Sequence, residues 1–329
     1  MMSLKSFAPT RRAFIAASLF AALSASAAAV AQVGDKPVRF ILPNATGSGV
    51  DTITRTAQPA IAKALGMPVV VENQPGAGGV VGLQTLTRAA PDGMTLSVVS
   101  NNVVIFPSVI KSLPFALPDD ITPIAIVGFT PVVLVVNPKV AATNSKEFIA
   151  LLKAQPGKLN YASGGSGTIL HLAGAMFLDE AGAKATHVPY KGVGPMVTDL
   201  LGGQVEFGTV ALPSVQQHLK SGALRAIGMA TAQRVPAAQE IPTFVEQGLP
   251  GYVVEAWFAV IGPKGMAAAD VKRVHDAVVA AFADPAVKEA MAKQGNVINV
   301  STTDYANNFF KTELVKYANL VKKAGVEAQ

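Results

Sequence analysis

The sequence predicts an α/β protein made of two similar halves that face each other across a ligand cleft. Three observations carry this. Branched, apolar strand-like runs alternate with helix-like runs, the pattern of a mostly parallel sheet with helices on both faces. The alternation restarts after about Ile124. Each half also places two glycine loops after its strands, and the spacing agrees: 29 residues from Gly47 to Gly76, 27 from Gly165 to Gly192.

In chain order, "PVRFILP" (37–43) reads as a buried strand and "VDTITRTAQPAIAKALG" (50–66) as a helix in spite of Pro59. "PVVVEN" (68–73) is a second strand, and "GVVGLQTLTRAA" (79–90) a second helix stopped by Pro91-Asp92-Gly93. "MTLSVVS" (94–100) is a third strand. "IAIVGFTPVVLVVNP" reads as two strands in quick succession that cross between the halves. A helix follows with Ser145 as N-cap and Gly157 as stop. "LNYAS", "ATHVPY", "QVEFGTV" and "ALRAIGMA" are strands, the first three interleaved with the helices "GTILHLAGAMFLDEAG" and "VGPMVTDLLGG". "YVVEAWFAVIG" (252–262) is a long strand with two or three helices behind it. Val271, Val274, Val278 and Phe282 mark an apolar face at helical spacing.

The first residues belong to no fold. Lys5, Arg11 and Arg12 precede an alanine-rich apolar run that closes on Ala29-Val30-Ala31, the pattern of a secretory signal over residues 1–31 cleaved after Ala31. The run is at the short limit for a membrane anchor. "TRRAFI" resembles an incomplete twin-arginine signal, which leaves the export route open. Removal of the signal lowers the formal charge from +6 to +3. No basic run survives, so nucleic-acid binding has no footprint. The chain has no cysteine, and half its residues are hydrophobic, so an exported protein of this kind rests on its core alone.

The glycine loops are where chemistry is expected, because open α/β sheets bind ligands at the carboxyl ends of their strands. No lysine follows the early loops, so a phosphate-binding P-loop is excluded, and "GAGGVVG" misses the third glycine of a dinucleotide fingerprint. Around Ser166 the last glycine of a nucleophile elbow is absent. His171, His187, His218 and His275 form no metal spacing, and no acid/base pair stands out. An exported hydrolase using Ser166 is a distant alternative; no cofactor, metal or catalysis is expected. What remains is backbone: converging N–H groups and helix N-termini bind an anion without a cationic side chain. A carboxylate suits them better than a phosphate, since the loops hold neither lysine nor arginine. Asp51 and Thr168 fit helix capping as well as ligand contact. His171 shares a helix face with Thr168 and is either a ligand contact or packed; Tyr190 ends a strand beside a glycine loop.

The runs "VVVENQPGAGGVVG", "SGGSGTILHLAGAMF", "HVPYKGVGPMVTDLLGG" and "KYANLVKKAGV" resemble the Bug family, the periplasmic solute receptors of tripartite tricarboxylate transporters. The resemblance covers the whole mature chain. It implies a two-lobed periplasmic binding protein of type II (a Venus flytrap) with lobes over 32–130 plus 256–329 and over 131–255. It implies a small organic carboxylate held between the lobes, partly through waters, by a monomer in the periplasm. The partner would be a membrane permease or, alternatively, a sensor kinase. The implied ligand-binding residues are Asn44, Thr46, Gly47, Ser48, Asp51 and Gly78 on one side. On the other they are Ser163, Gly164, Gly165, Ser166, Thr168, His171 and Tyr190. The family's first loop commonly reads P-F-x-P-G-G-x-x-D; here Asn44, Thr46 and Ser48 replace its aromatic, proline and second glycine. A roomier, more polar pocket is expected on that side.

Overall fold

A computed structural model describes residues 36–326 and 328. The export signal expected over residues 1–31 lies outside them. Among the described residues no helix is long and apolar enough to cross a membrane.

The first half starts from β1 (Val38–Leu42), β2 (Val69–Asn73) and β3 (Thr95–Ser100), with β1 parallel to both others. Their connections are α1 (Gly49–Leu65) and α2 (Val80–Thr87), the latter led in by a short 3₁₀ turn at Ala77–Gly79. Helix α1 begins where the Ser48 hydroxyl accepts the Asp51 N–H and ends on Gly66 in the left-handed region. It runs through Pro59, which lies on its exposed side. After β3 comes α3 (Asn102–Val109).

Two long strands follow a different rule from the rest. β4 (Ile121–Val136) and β9 (Glu255–Pro263) run antiparallel to each other, and β9 is antiparallel to β3. The sheet is therefore mixed, with order β2-β1-β3-β9-β4-β7-β5-β6. The two strands expected near Ile124 are one strand of 16 residues. Its first part, through Pro131, pairs with β9; Val132–Val136 pairs with β7 (Phe207–Ala211) and β8 (Arg225–Met229). β4 thus threads both halves, and Pro131 stands at the changeover.

The second half repeats the first. β5 (Asn160–Ser163) is parallel to β6 (Thr186–Pro189) and to β7. α4 (Ser145–Ala154) precedes β5 and is capped by Asn144, one residue before the expected Ser145. α5 (Ile169–Ala181), α6 (Val193–Gly202) and α7 (Leu212–Lys220) follow β5, β6 and β7. After β9 come α8 (Ala268–Ala283), α9 (Pro285–Gln294), the short β10 (Val297–Ile298) and α10 (Thr303–Lys323).

Two apolar clusters form the core. Phe40, Ile53, Val98, Phe258, Val274 and Phe282 pack in one; the other takes in Leu83, Val103 and Phe106 of the first half together with Phe148, Phe177, Phe207, Phe244 and Tyr252 of the second, with stacked and edge-on rings. Helix α10 lies along α3 and β4. There Glu313, 4 % exposed, accepts the Trp257 Nε1 proton at 2.7 Å and pairs with Lys316 at 3.0 Å. Tyr317 meets Asn101, whose side chain also holds the Glu255 carbonyl and the Trp257 N–H. This network fixes the start of α3, which reaches the cleft.

Candidate functional site

Strands β1, β3, β5 and β6 end at one edge, and their loops meet there. The loop after β1 turns at Gly47, whose φ of +81° favours glycine. Its N–H donates to Asp51 Oδ2 at 3.0 Å. Asp51 Oδ1 accepts from Arg55 Nε at 2.8 Å and Asn73 Nδ2 at 2.9 Å. Both carboxylate oxygens are thus committed, and Asp51 ties the loop to α1 and β2. Thr46 is exposed and donates to Asn73 Oδ1.

The loop after β5 is organised in the same way. Ser163, fully buried, donates to the Gly165 carbonyl, accepts the Gly165 N–H and lies 2.7 Å from His187 Nε2. Thr168 donates to the Gly165 carbonyl at 2.8 Å and accepts the His171 N–H, capping α5. The Gly167 N–H donates to His171 Nδ1 at 3.1 Å, which leaves the ring proton on Nε2. His171 lies flat on His187, ring centroids 3.8 Å apart and planes 4° apart, and Tyr161 stacks next in line. Burial pushes both imidazoles down to about 4, with His171 adding repulsion at His187, so both rings are neutral at pH 7.

In the loop after β6, the Tyr190 hydroxyl donates to Asp199 Oδ2 at 2.8 Å; burial, then Asp199, push this phenol up to about 12. Loops from opposite halves touch. A Cβ added at Gly192 would lie 2.3 Å from Ala45 Cβ, and one at Gly78 would lie 3.0 Å from the Ser166 carbonyl oxygen. Only glycine permits this approach. Asn102 then joins the halves directly: its Oδ1 accepts the Ile169 N–H, first of α5, at 2.8 Å, and its Nδ2 faces the Gly78 carbonyl at 3.4 Å.

Between the loops lies a cavity of about 450 Å³. Of the thirteen expected residues, Asn44, Ser48, Gly78, Gly164, Gly165, Ser166, Thr168 and Tyr190 line it. Thr46, Gly47, Asp51, Ser163 and His171 do not, for the reasons just given: each is turned into the scaffold that shapes a loop. The departure at Asn44 therefore faces the cavity; that at Thr46 does not, and the Ser48 oxygen caps α1. Sequence reasoning missed Ser100, Asn102, Val109, Ile110, Thr130, Ala211 and Ala256, which also line it. A capping signal at this strand-to-helix junction falls on Asn101, the N-cap, and not on Asn102, the first helical residue, whose partner Ile169 is distant in sequence.

The cavity offers an anion neutral donors. The N–H groups of Gly49 and Val50 at the start of α1, Leu170 in α5 and Val193 in α6 have no acceptor among the described residues, and all four residues line the cavity. These are orphan donors at positive helix ends. Among the described residues no aspartate, glutamate, arginine or histidine lines the cavity, and the one lysine there, Lys191, is exposed. Ser163 and His187 have the separation of a nucleophile and its base, yet Ser163 is sealed from the cavity.

The sequence model described as "Tripartite tricarboxylate transporter family receptor" matches residues 53–326. Protein BugT of Bordetella pertussis is 35% identical over 294 residues, 89% of this chain and 90% of that protein. The structure of the periplasmic binding protein BugD superimposes with a TM-score of 0.85 at 31% identity, covering 89% of this chain and 99% of that one. MatC from Rhodopseudomonas palustris, solved with bound malate, gives 0.80 at 28% identity over 87% and 98%. The chain therefore belongs to the tripartite tricarboxylate transporter receptor family, with its two-lobed periplasmic binding protein fold.

Proposed function

We propose that this protein is a periplasmic receptor that captures a small organic carboxylate between its two lobes and delivers it to the membrane permease of a tripartite tricarboxylate-type transporter. The lobes would comprise residues 32–130 with 256–329, and 131–255. The observation that carries the reading is the set of orphan N–H groups from three helix starts around one cavity, with no catalytic pair opening onto it. MatC, crystallised with malate, supports the carboxylate class. The cavity residues Asn44, Ser48, Gly78, Gly164, Gly165, Ser166, Thr168 and Tyr190 would form the contact surface. Thr46, Gly47, Asp51, Ser163 and His171 would shape its loops.

The test is calorimetric titration of the purified protein with mono-, di-, tri- and aromatic carboxylates, followed by uptake of the bound acid in cells with and without the receptor gene. Saturable binding without turnover, and uptake lost with the gene, are expected. A ligand at 100 times its Kd stabilises the fold by about 2.7 kcal/mol. An unmoved melting temperature across the panel would remove the receptor reading.

A further inference from the structure

We propose that the ligand is an acid with one carboxylate on an uncharged, largely apolar body, an alkyl or aryl acid without an ammonium group. This rests on the receptor reading above and narrows it.

A cation in the cavity would find no counter-charge. Among the described residues no acidic side chain lines the cavity. The two nearby aspartates are engaged elsewhere, Asp51 by Gly47, Arg55 and Asn73, and Asp199 by the Tyr190 hydroxyl. An ammonium group brought into the cavity would lose its water without gaining an ion pair. A second anion would likewise find no full positive charge buried beside it. The backbone donors at the three helix starts are neutral, and each helix end carries only a partial positive charge. Lys191 stands exposed, and no other cationic residue lines the walls. A second buried carboxylate would face its own first charge across a small, poorly screened space.

The walls themselves are largely apolar. Val50, Val109, Ile110, Ile169, Leu170 and Val193 line them. A volume of about 450 Å³ corresponds to roughly 15 waters at ~30 Å³ each. A four-carbon diacid would leave much of that volume as water held against hydrocarbon. An alkyl chain or ring covers it. Two neutral polar atoms stand apart from this surface. Thr130 Oγ1, on a residue 8 % exposed, and Asn44 Oδ1 are buried without a hydrogen-bond partner, and both residues line the cavity. Buried polar atoms are ordinarily paired. Both atoms lie behind the accessible wall of the cavity, so neither is counted as a ligand contact.

The test compares acids that differ by one charge. The full mature protein, dialysed free of small molecules, is titrated calorimetrically with 3-phenylpropanoate against phenylalanine, and with hexanoate against adipate. 4-Hydroxybenzoate, malate and glutamate complete the set. The expected result is binding of at least one apolar monoacid, with a Kd at least tenfold below that of its ammonium-bearing or two-carboxylate counterpart. Binding confined to malate, adipate, glutamate or phenylalanine would overturn this inference and leave the receptor reading standing. Binding of none of these acids would overturn the inference, and an equally blank response to the wider carboxylate panel would overturn the receptor reading with it.

Discussion

Lowering the pH from 7.5 to 4.5 should weaken the fold through His171, because burial disfavours its charged form. In the native state the ring must stay neutral. Its Nδ1 accepts the Gly167 N–H, its face lies 3.8 Å from His187, and it is 8 % exposed. Its pKa is held down to about 4 by burial, against about 6.5 in the unfolded chain. The unfolded state therefore binds the proton first. Stability is full above about pH 6.5, falls as pH drops through the window between about 6.5 and 4, and levels off below it. At pH 4.5 the two titration curves give a loss of about 2.5 kcal/mol for this ring. The groups facing it are His187, also pushed down to about 4, and Tyr161, pushed up to about 12. His187 adds a loss of the same sign. The assay is urea denaturation of wild type and His171→Asn at pH 7.5 and 4.5. Asparagine keeps an acceptor near the Nδ1 position and does not titrate. The wild type should lose about 2.5 kcal/mol more than the variant between the two pH values. Equal losses would refute the neutral buried ring. Because these bonds shape the Ser163–Thr168 loop, ligand affinity should weaken over the same pH range.

Three substitutions test the parts around this loop. Asn102→Ala leaves the Ile169 N–H without its acceptor when the loops meet; a cost of about 1–3 kcal/mol raises Kd roughly 5- to 150-fold by titration, with circular dichroism unchanged. Gly192→Ala places a Cβ against Ala45 at a φ of +127°, and about 1–3 kcal/mol of strain should appear as weaker binding, because relief requires the two loops to part. Glu313→Ala strands the Trp257 Nε1 proton in the core. It should lower the urea-derived stability by about 1–3 kcal/mol and shift the emission of the single tryptophan.

The outline of the fold was legible because its signals are local. Buried strands such as Val38–Leu42 are short apolar runs, and Gly47, Gly76, Gly165 and Gly192 all have positive φ at the loops where their spacing put them. What escaped depended on distance along the chain. Pro131 reads as a strand break, yet β4 continues through it because partners change there from β9 to β7 and β8. Helix α3 is apolar on nearly every side and holds Pro107, so it shows no 3.6-residue stripe. At the site, residue types fixed the loops but not the direction of their side chains. Asp51 turns away because Asn73, on a different strand end, shares its oxygen. His171 turns away because Gly167 and His187 take its two faces of chemistry, the ring nitrogen and the π surface. Such networks join residues that the sequence leaves far apart.

The most direct test of the account is the identity of the small molecule held by the protein. Native mass spectrometry of the protein purified without denaturation, with the ejected molecule identified by its mass, reads this in one step. The expected result is a single equivalent of an organic acid with one carboxylate, no ammonium and an apolar body, displaced by the acid that binds best in calorimetry. Ejection of a nucleotide, a sugar phosphate or a metal complex, with no acid in the cavity, would contradict it.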